Sequence, residues 1–219
     1  MKIADNVYAF IWESMTTNNC NTYLIDGPTR ILIDPGHIDL FDHVRSGLEE
    51  LKITLDDIGL IICTHGHPDH IESVQLFKQT PALLALHVEE WQFIKHMDDQ
   101  IKAAIGVNPE AITPDILLKE GDMSIHHLNL QVIHTPGHSP GSICLFWPDQ
   151  EILFTGDLVF KQGIGRTDLP GGNGSQLKES IKRLEALEIK WLLPGHGEIV
   201  DDATEIKRNF NQLKHLWFR

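Results

Sequence analysis

Thr64-His65-Gly66-His67-Pro68-Asp69-His70 places three histidines and one aspartate within six positions, directly after the apolar run Ile58–Cys63. Imidazoles and carboxylates at such spacing bind metals or move protons. Buried without partners they would cost several kcal/mol each, roughly, so their position beside an apolar run calls for a compensating cation. The same juxtaposition recurs along the chain. Ile31–Ile33 is followed by Asp34-Pro35-Gly36, and Leu130–Ile133 by His134-Thr135-Pro136-Gly137-His138. Ile152–Thr155 is followed by Gly156-Asp157, and Trp191–Leu193 by Pro194-Gly195-His196. Each strand-like segment delivers His or Asp to its carboxyl end in a turn rich in Gly and Pro. In α/β architectures the loops beyond the carboxyl ends of strands build the site.

The candidates for convergence are His65, His67, Asp69, His70, His138, Asp157 and His196. A mononuclear tetrahedral catalytic site uses at most four such groups and keeps one position open. Seven suggest two metals that share a bridging group. Imidazole with carboxylate suits zinc, iron or manganese, and no thiolate is on offer. Of the remaining histidines, His43, His96, His126, His127 and His215 read as surface or core residues. His37 and His87 read as supports for ligands, and His134 as structural.

These residues need elements to hold them. Asn21–Ile25 and Arg30–Ile33 read as short strands about the turn Asp26-Gly27-Pro28. Leu40–Leu51 has helical periodicity through Phe41, Val44, Leu48 and Leu51. Ile58–Cys63 reads as a strand buried on both faces. A helix over Ile71–Lys78 follows, with Pro68 and Asp69 in its first turn. Residues 89–120 read as an irregular helical excursion, with Trp91, Ile94, Ile101 and Ile105 interrupted by Gly106, Pro109 and Pro114; a lid over the site is one expectation. Strands return at Leu128–Ile133, Ser142–Trp147, Glu151–Thr155 and Lys190–Leu193, with a helix over Ser175–Leu187. Ala203–Phe218 reads as an amphipathic helix that buries Ile206, Phe210, Leu213 and Trp217. No internal repeat interrupts the chain, and helices packed on sheet layers are expected.

Composition narrows the function. The 219 residues carry 18 Lys+Arg against 31 Asp+Glu, a net charge of −13, which opposes an electrostatically driven nucleic-acid binder. Hydrophobic residues make up 42%, enough for a substantial core. Cys20, Cys63 and Cys144 are too few and too dispersed for a disulfide framework and read as buried, reduced thiols. The opening MKIADNVYAFIWES is interrupted by Asp5, Asn6 and Glu13 where a signal peptide needs an apolar run, and no stretch has transmembrane length. A cytoplasmic protein without a membrane partner is the expectation.

T-H-G-H-P-D-H at 64–70, T-P-G-H at 135–138, G-D at 156–157 and P-G-H at 194–196, in that order, resemble the metallo-β-lactamase superfamily from Asn18 to Gly197. The resemblance implies an α/β (α+β) fold, a four-layer αββα sandwich with the site at one edge of the two sheets, in a single domain over 1–219. It implies His65, His67 and His138 as ligands of a first metal, Asp69, His70 and His196 as ligands of a second, and Asp157 as the bridging carboxylate. The cofactors implied are two divalent metal ions, zinc first, with iron or manganese as alternatives. Asp34 resembles the family's structural aspartate, which supports the loops.

Asp157 stands where many metallo-β-lactamases carry a cysteine ligand, which disfavours a true β-lactamase of that type. Gly163–Asn173, GIGRTDLPGGN, resembles the glyoxalase II-like and persulfide dioxygenase-like branches. Arg166 occupies the basic position that binds glutathione in glyoxalase II; the neighbouring aromatic is absent, with Asp168 nearby. The chain ends 23 residues after His196, so it resembles a short bacterial form without the helical glutathione-binding domain. The activity implied is metal-dependent hydrolysis of thioester or related acyl bonds. The substrate implied is a small molecule, acyl-glutathione or another acyl-thiol, with Asp69 orienting the nucleophile and Arg166 binding a substrate carboxylate. The alternatives are a mononuclear iron persulfide dioxygenase that uses His65, His138 and Asp157, and a lactonase that uses all seven ligands. A non-enzymatic metal-binding scaffold would be expected to lose ligands, and all seven are present.

Overall fold

The computed structural model describes residues 1–14, 16–97, 99 and 108–218. The chain separates into two compact units, Met1–Leu118 and Lys119–Arg219.

The first unit is built on a seven-stranded sheet whose strands lie in chain order. They are β1 (Lys2–Ala4), β2 (Val7–Phe10), β3 (Thr22–Ile25), β4 (Arg30–Ile33), β5 (Ile58–Ile62), β6 (Leu83–His87) and β7 (Ile116–Leu118). The pairs from β1 to β4 are antiparallel and those from β4 to β7 parallel. Ile31, Leu32, Ile58, Ile61 and Ile62 are all buried, as the continuous apolar runs require of strands covered on both faces. Helix α1 (Asp42–Glu50) buries Val44 and Leu48, one helical turn apart, in a core that also holds Leu24, Leu32, Phe41 and Ile61. Because β4 and β5 are parallel neighbours, Asp34 and the run that begins at Thr64 emerge at the same edge.

The helix expected over Ile71–Lys78 takes a different form. Helix α2 (Pro68–Ile71) lasts one turn and passes into a 3-10 helix over Glu72–Phe77. Proline at its first position needs no hydrogen-bond partner there and presets the helical φ. The buried Val74 and Phe77 stand three residues apart, which is the repeat of the tighter 3-10 winding. Strands β1 and β2 escape a periodicity reading because each is short and the connecting Asp5-Asn6 turn is tight, with Asn6 at a positive φ of 61°. The expected excursion over 89–120 begins within α3 (Val88–His96) and ends in the sheet as β7. Ile101, Ile105 and Gly106 lie outside the described residues.

The second unit has a five-stranded sheet and a two-stranded hairpin. Its strands are β8 (Gly121–Ile125), β9 (Leu128–His134), β10 (Ile143–Trp147), β11 (Ile152–Gly156), β12 (Val159–Phe160), β13 (Gly163–Ile164) and β14 (Trp191–Pro194). The main sheet runs β14-β11-β10-β9-β8, and β12 pairs with β13. β10 is antiparallel to both β9 and β11, and β11 is parallel to β14, so β9, β11 and β14 point the same way. Their carboxyl ends therefore share an edge. Helix α4 (Gly174–Leu184) is capped by Asn173, whose side chain accepts from the Ser175 and Gln176 amides at 3.0 and 3.1 Å. Helix α5 (Ala203–Trp217) is capped by Asp202, which accepts from the Glu205 amide at 2.7 Å. Leu177, Ile181 and Leu184 share a core with Ile206, Phe210 and Leu213.

Trp217 departs from the expected stripe: it is 50% exposed, while Ile206, Phe210 and Leu213 are buried. It is the last residue of α5, beyond the reach of the core that holds Leu213. Between those apolar positions sits buried Asn209, which binds the Gln162 amide at 2.7 Å and the Phe160 carbonyl at 2.9 Å, stapling α5 to the β12–β13 hairpin. All three cysteines are buried and free of disulfides. Burial pushes the Cys144 thiol up to about 12 and the Cys63 thiol well above its usual value, so neither offers a thiolate at neutral pH. Among the described residues no helix is long and apolar enough to cross a membrane.

Candidate metal centre

In the first unit the ligand run is held by Asp34. This residue is 2% exposed and adopts a left-handed φ of 51°, a conformation that aspartate tolerates better than most residues. Its Oδ1 accepts from the Thr64 amide at 2.7 Å, and its Oδ2 accepts from Thr64 Oγ1 at 2.7 Å and His70 Nδ1 at 2.9 Å. The structural role expected of Asp34 is what the hydrogen bonds describe.

This network assigns tautomers. The Asp34 carboxylate can only accept, so His70 carries its proton on Nδ1 and presents the Nε2 lone pair. Thr64 spends its hydroxyl hydrogen on Asp34, so at 3.1 Å it accepts from His65 Nδ1. His65 therefore also presents Nε2. Both rings are fully buried. His65 Nε2 lies 3.1 Å from His67 Nδ1. Two nitrogens bound at about 2.0–2.1 Å to one tetrahedral ion would lie roughly 3.3 Å apart, so the spacing suits a shared cation. Asp69 and His70 offer ligand atoms within 4.8 Å of each other. A second buried carboxylate, Glu90 on α3, accepts from the Gly66 amide at 2.8 Å and fixes the backbone between the first two histidines.

In the second unit the turns after β9, β11 and β14 bring His138, Asp157 and His196 together. His138 Nδ1 donates to the Arg166 carbonyl at 2.8 Å, which leaves the lone pair on Nε2. That nitrogen lies 3.5 Å from Asp157 Oδ2, and His196 Nε2 lies 3.4 Å from the same oxygen. One carboxylate oxygen placed between two imidazoles is the arrangement a bridging ligand needs. The Arg166 carbonyl reaches His138 because Gly165 passes against Asp157: a Cβ at Gly165 would stand 1.8 Å from the Asp157 carbonyl oxygen and 3.3 Å from His138 Nδ1. The Phe160 ring stands edge-on to His196, with centroids 6.0 Å apart.

Arg166 is engaged with Asp168 in a two-pronged pair at 2.8 and 2.7 Å, with side chains 60% and 69% exposed. The guanidinium holds the Asp168 carboxyl down at about 2, with a further contribution from its own backbone amide. The residues read as supports divide. His37 Nδ1 meets Glu72 at 2.9 Å and its amide donates to Asn19 at 2.8 Å, which steadies the turn after Asp34. His87 is buried as the N-cap of α3. His134 is structural: its ring meets the Pro140 carbonyl at 2.9 Å and its amide donates to Glu120 at 3.0 Å. His43 meets the Leu40 carbonyl at 2.8 Å and packs on Trp12.

Glu90 and the run Asn18-Asn19-Cys20-Asn21-Thr22 were not singled out from sequence. Cys20 Sγ and Thr22 Oγ1 both donate to the Asp34 carbonyl, at 3.3 and 2.6 Å, and Asn18 Nδ2 donates to Asp69 Oδ2 at 2.7 Å. Three asparagines immediately before a buried strand are the signal that could have revealed the run. Polar side chains there must bind backbone or each other. Glu90 left no such trace, because an acid in the first turn of a helix is ordinary.

The profile of the metallo-β-lactamase superfamily matches residues 15–196, which includes all seven candidate ligands. The chain is 38% identical to a probable metallo-hydrolase of Methanocaldococcus jannaschii over 192 residues, which cover 83% of this chain and 89% of the relative. It is 30% identical to the hydroxyacylglutathione hydrolase GloC of Haemophilus influenzae over 202 residues, 87% of this chain and 91% of the relative. Among solved structures, TTHA1623 in a di-iron-bound form superposes with a TM-score of 0.70 at 29% identity, over 87% of this chain and 93% of that one. On the motif, its order and the extent of these matches, the chain belongs to the metallo-β-lactamase superfamily and has its α/β fold.

Proposed function

We propose that the protein is a dinuclear metal-dependent hydrolase of thioesters or related acyl bonds, with an acyl-glutathione or another acyl-thiol as substrate. His65, His67 and His138 would hold one divalent ion, Asp69, His70 and His196 the other, and Asp157 would join them. The observation that carries this reading is the position of Asp157 Oδ2, 3.5 Å from His138 Nε2 and 3.4 Å from His196 Nε2. A single-metal site of His65, His138 and Asp157 would not use His196 as a ligand, although its Nε2 stands 3.4 Å from that oxygen. The similarity to a hydroxyacylglutathione hydrolase supports the substrate class, and the donor set suits zinc, iron or manganese.

Such a metal pair, when bound, supplies Lewis acidity that brings water ionisation down from 15.7 toward about 7 and polarises an acyl carbonyl. The chain's own residues prepare the rest. Asp34 and the Arg166 carbonyl hold His70 and His138 with Nε2 ready to ligate, and Thr64 does the same for His65. Asp69, whose Oδ2 accepts a hydrogen bond from Asn18, would orient the O–H of the attacking nucleophile.

Arg166 would bind a substrate carboxylate in competition with Asp168. Replacing Arg166 by Ala is expected to raise KM about tenfold for an anionic acyl-thiol, a modest value for an exposed charged pair, and to leave neutral thioesters nearly unchanged. Asp168→Ala should lower KM for the anionic substrate. Steady-state kinetics on matched anionic and neutral thioesters read both effects, and equal shifts on the two substrates remove the anchoring role. The reading as a whole is tested by following thiol release from acyl-glutathione beside oxygen uptake on glutathione persulfide. Thiol release alone supports it. Oxygen uptake with an intact thioester would assign the chain to persulfide oxidation.

A further inference from the structure

We propose that Asn18 is a positioning residue for Asp69, and that it sets the affinity of the second metal; this rests on the dinuclear reading above. Asn18 Nδ2 donates to Asp69 Oδ2 at 2.7 Å across 51 residues of chain. An amide NH2 can only donate, so it commits that oxygen to accepting and fixes the rotation of the carboxylate. The donor stands on a fixed frame. In the next four positions, Asn19 accepts from the His37 amide at 2.8 Å, Cys20 and Thr22 donate to the Asp34 carbonyl, and Asn21 accepts from the Trp12 amide at 3.0 Å. The Asp34 carboxylate on that frame orients His70. The neighbouring candidate ligands Asp69 and His70 are thus aimed from one connected frame, Asp69 by Asn18 in the loop before β3 and His70 by Asp34, which follows β4 and whose carbonyl that loop and β3 hold. His65 is held one step further away, through Thr64, which itself donates to Asp34, and His138 through the Arg166 carbonyl; neither hydrogen bond involves Asn18.

The Asn18–Asp69 bond is exposed, so removing it should leave the fold intact while loosening one ligand. Groups that hold ligands in this way typically change metal affinity about 10–100-fold when removed. The test is calorimetric titration of the metal-free full chain with zinc, for wild type, Asn18→Leu and Asn18→Gln, with circular dichroism to check the fold. Leucine keeps the volume without the donor; glutamine keeps the donor on a longer arm. The expected result is a second binding constant weakened about 10–100-fold in Asn18→Leu, a first constant within about twofold of wild type, and partial recovery in Asn18→Gln. Both constants within about twofold of wild type in Asn18→Leu would overturn the proposal, as would equal weakening of both. A wild type that takes only one equivalent contradicts the dinuclear reading. Asn18 is then judged on that one constant: weakening in Asn18→Leu supports its hold on Asp69, and no change refutes it.

Discussion

Asp34→Asn, a change of one oxygen to one NH2, is expected to abolish tight metal binding at both sites. Wild-type Asp34 Oδ2 receives Thr64 Oγ1 and His70 Nδ1. An amide nitrogen at that position donates instead. His70 must then accept at Nδ1 and carry its proton on Nε2, where a metal ligand needs a lone pair. Thr64 must turn its hydrogen toward His65 Nδ1, which forces the same inversion on His65. The alternative, with the amide reversed, leaves the Thr64 amide facing a donor. Metal affinity should fall at least 10–100-fold or thereabouts, the range for such supporting residues. Asp34→Ala removes the acceptor altogether and strands three buried donors, at about 1–3 kcal/mol each. It should cost about 3–5 kcal/mol of stability, in line with breaking a buried charged network. Chemical denaturation measures the stability loss, and metal analysis of the folded Asp34→Asn protein measures the binding loss. Wild-type metal content in Asp34→Asn would refute the tautomer argument.

Gly165→Ala should strongly damage the second unit's half of the site. The added Cβ would lie 1.8 Å from the Asp157 carbonyl oxygen and 3.0 Å from its carbon. The clashing atoms belong to the Asp157 backbone, so no side-chain rotation relieves the contact. The strand exit must move, and with it either Asp157 or the Arg166 carbonyl that orients His138. Overpacking of this kind costs about 1–3 kcal/mol or more. Displacing a catalytic group by about 1 Å costs on the order of 100-fold in rate. The expected outcome is a protein of reduced Tm with kcat/KM down at least about 100-fold. Unchanged kinetics would mean that His138 and Asp157 tolerate the shift.

Much of this was readable from residue types because the chemistry is concentrated at strand ends. The apolar runs before Asp34, Thr64, Asp157 and His196 are short, buried and followed at once by turns, so their placement followed from pattern alone. What stayed hidden is of two kinds. The strands β1, β2, β6, β7 and β8 carry weak periodicity, and pairing rather than composition makes them strands. The supports of the ligands, Asn18 and Glu90, reach their targets from 51 and 24 residues away, and no spacing rule connects such positions. Sequence assigns Arg166 to a substrate carboxylate, from its place in GIGRTDLPGGN. Its pair with Asp168 adds the competition that any anionic substrate must overcome.

The central claim is that Asp157 serves two metals. The most direct measurement is the number of metal ions per chain, by native mass spectrometry of metal-loaded wild type and Asp157→Ala, with thioester turnover followed as metal is added back to the stripped wild-type protein. Two ions per wild-type chain, loss of both in Asp157→Ala, and activity that rises with the second equivalent are the predicted results. Full metal content in Asp157→Ala, or activity complete at one equivalent, would contradict it.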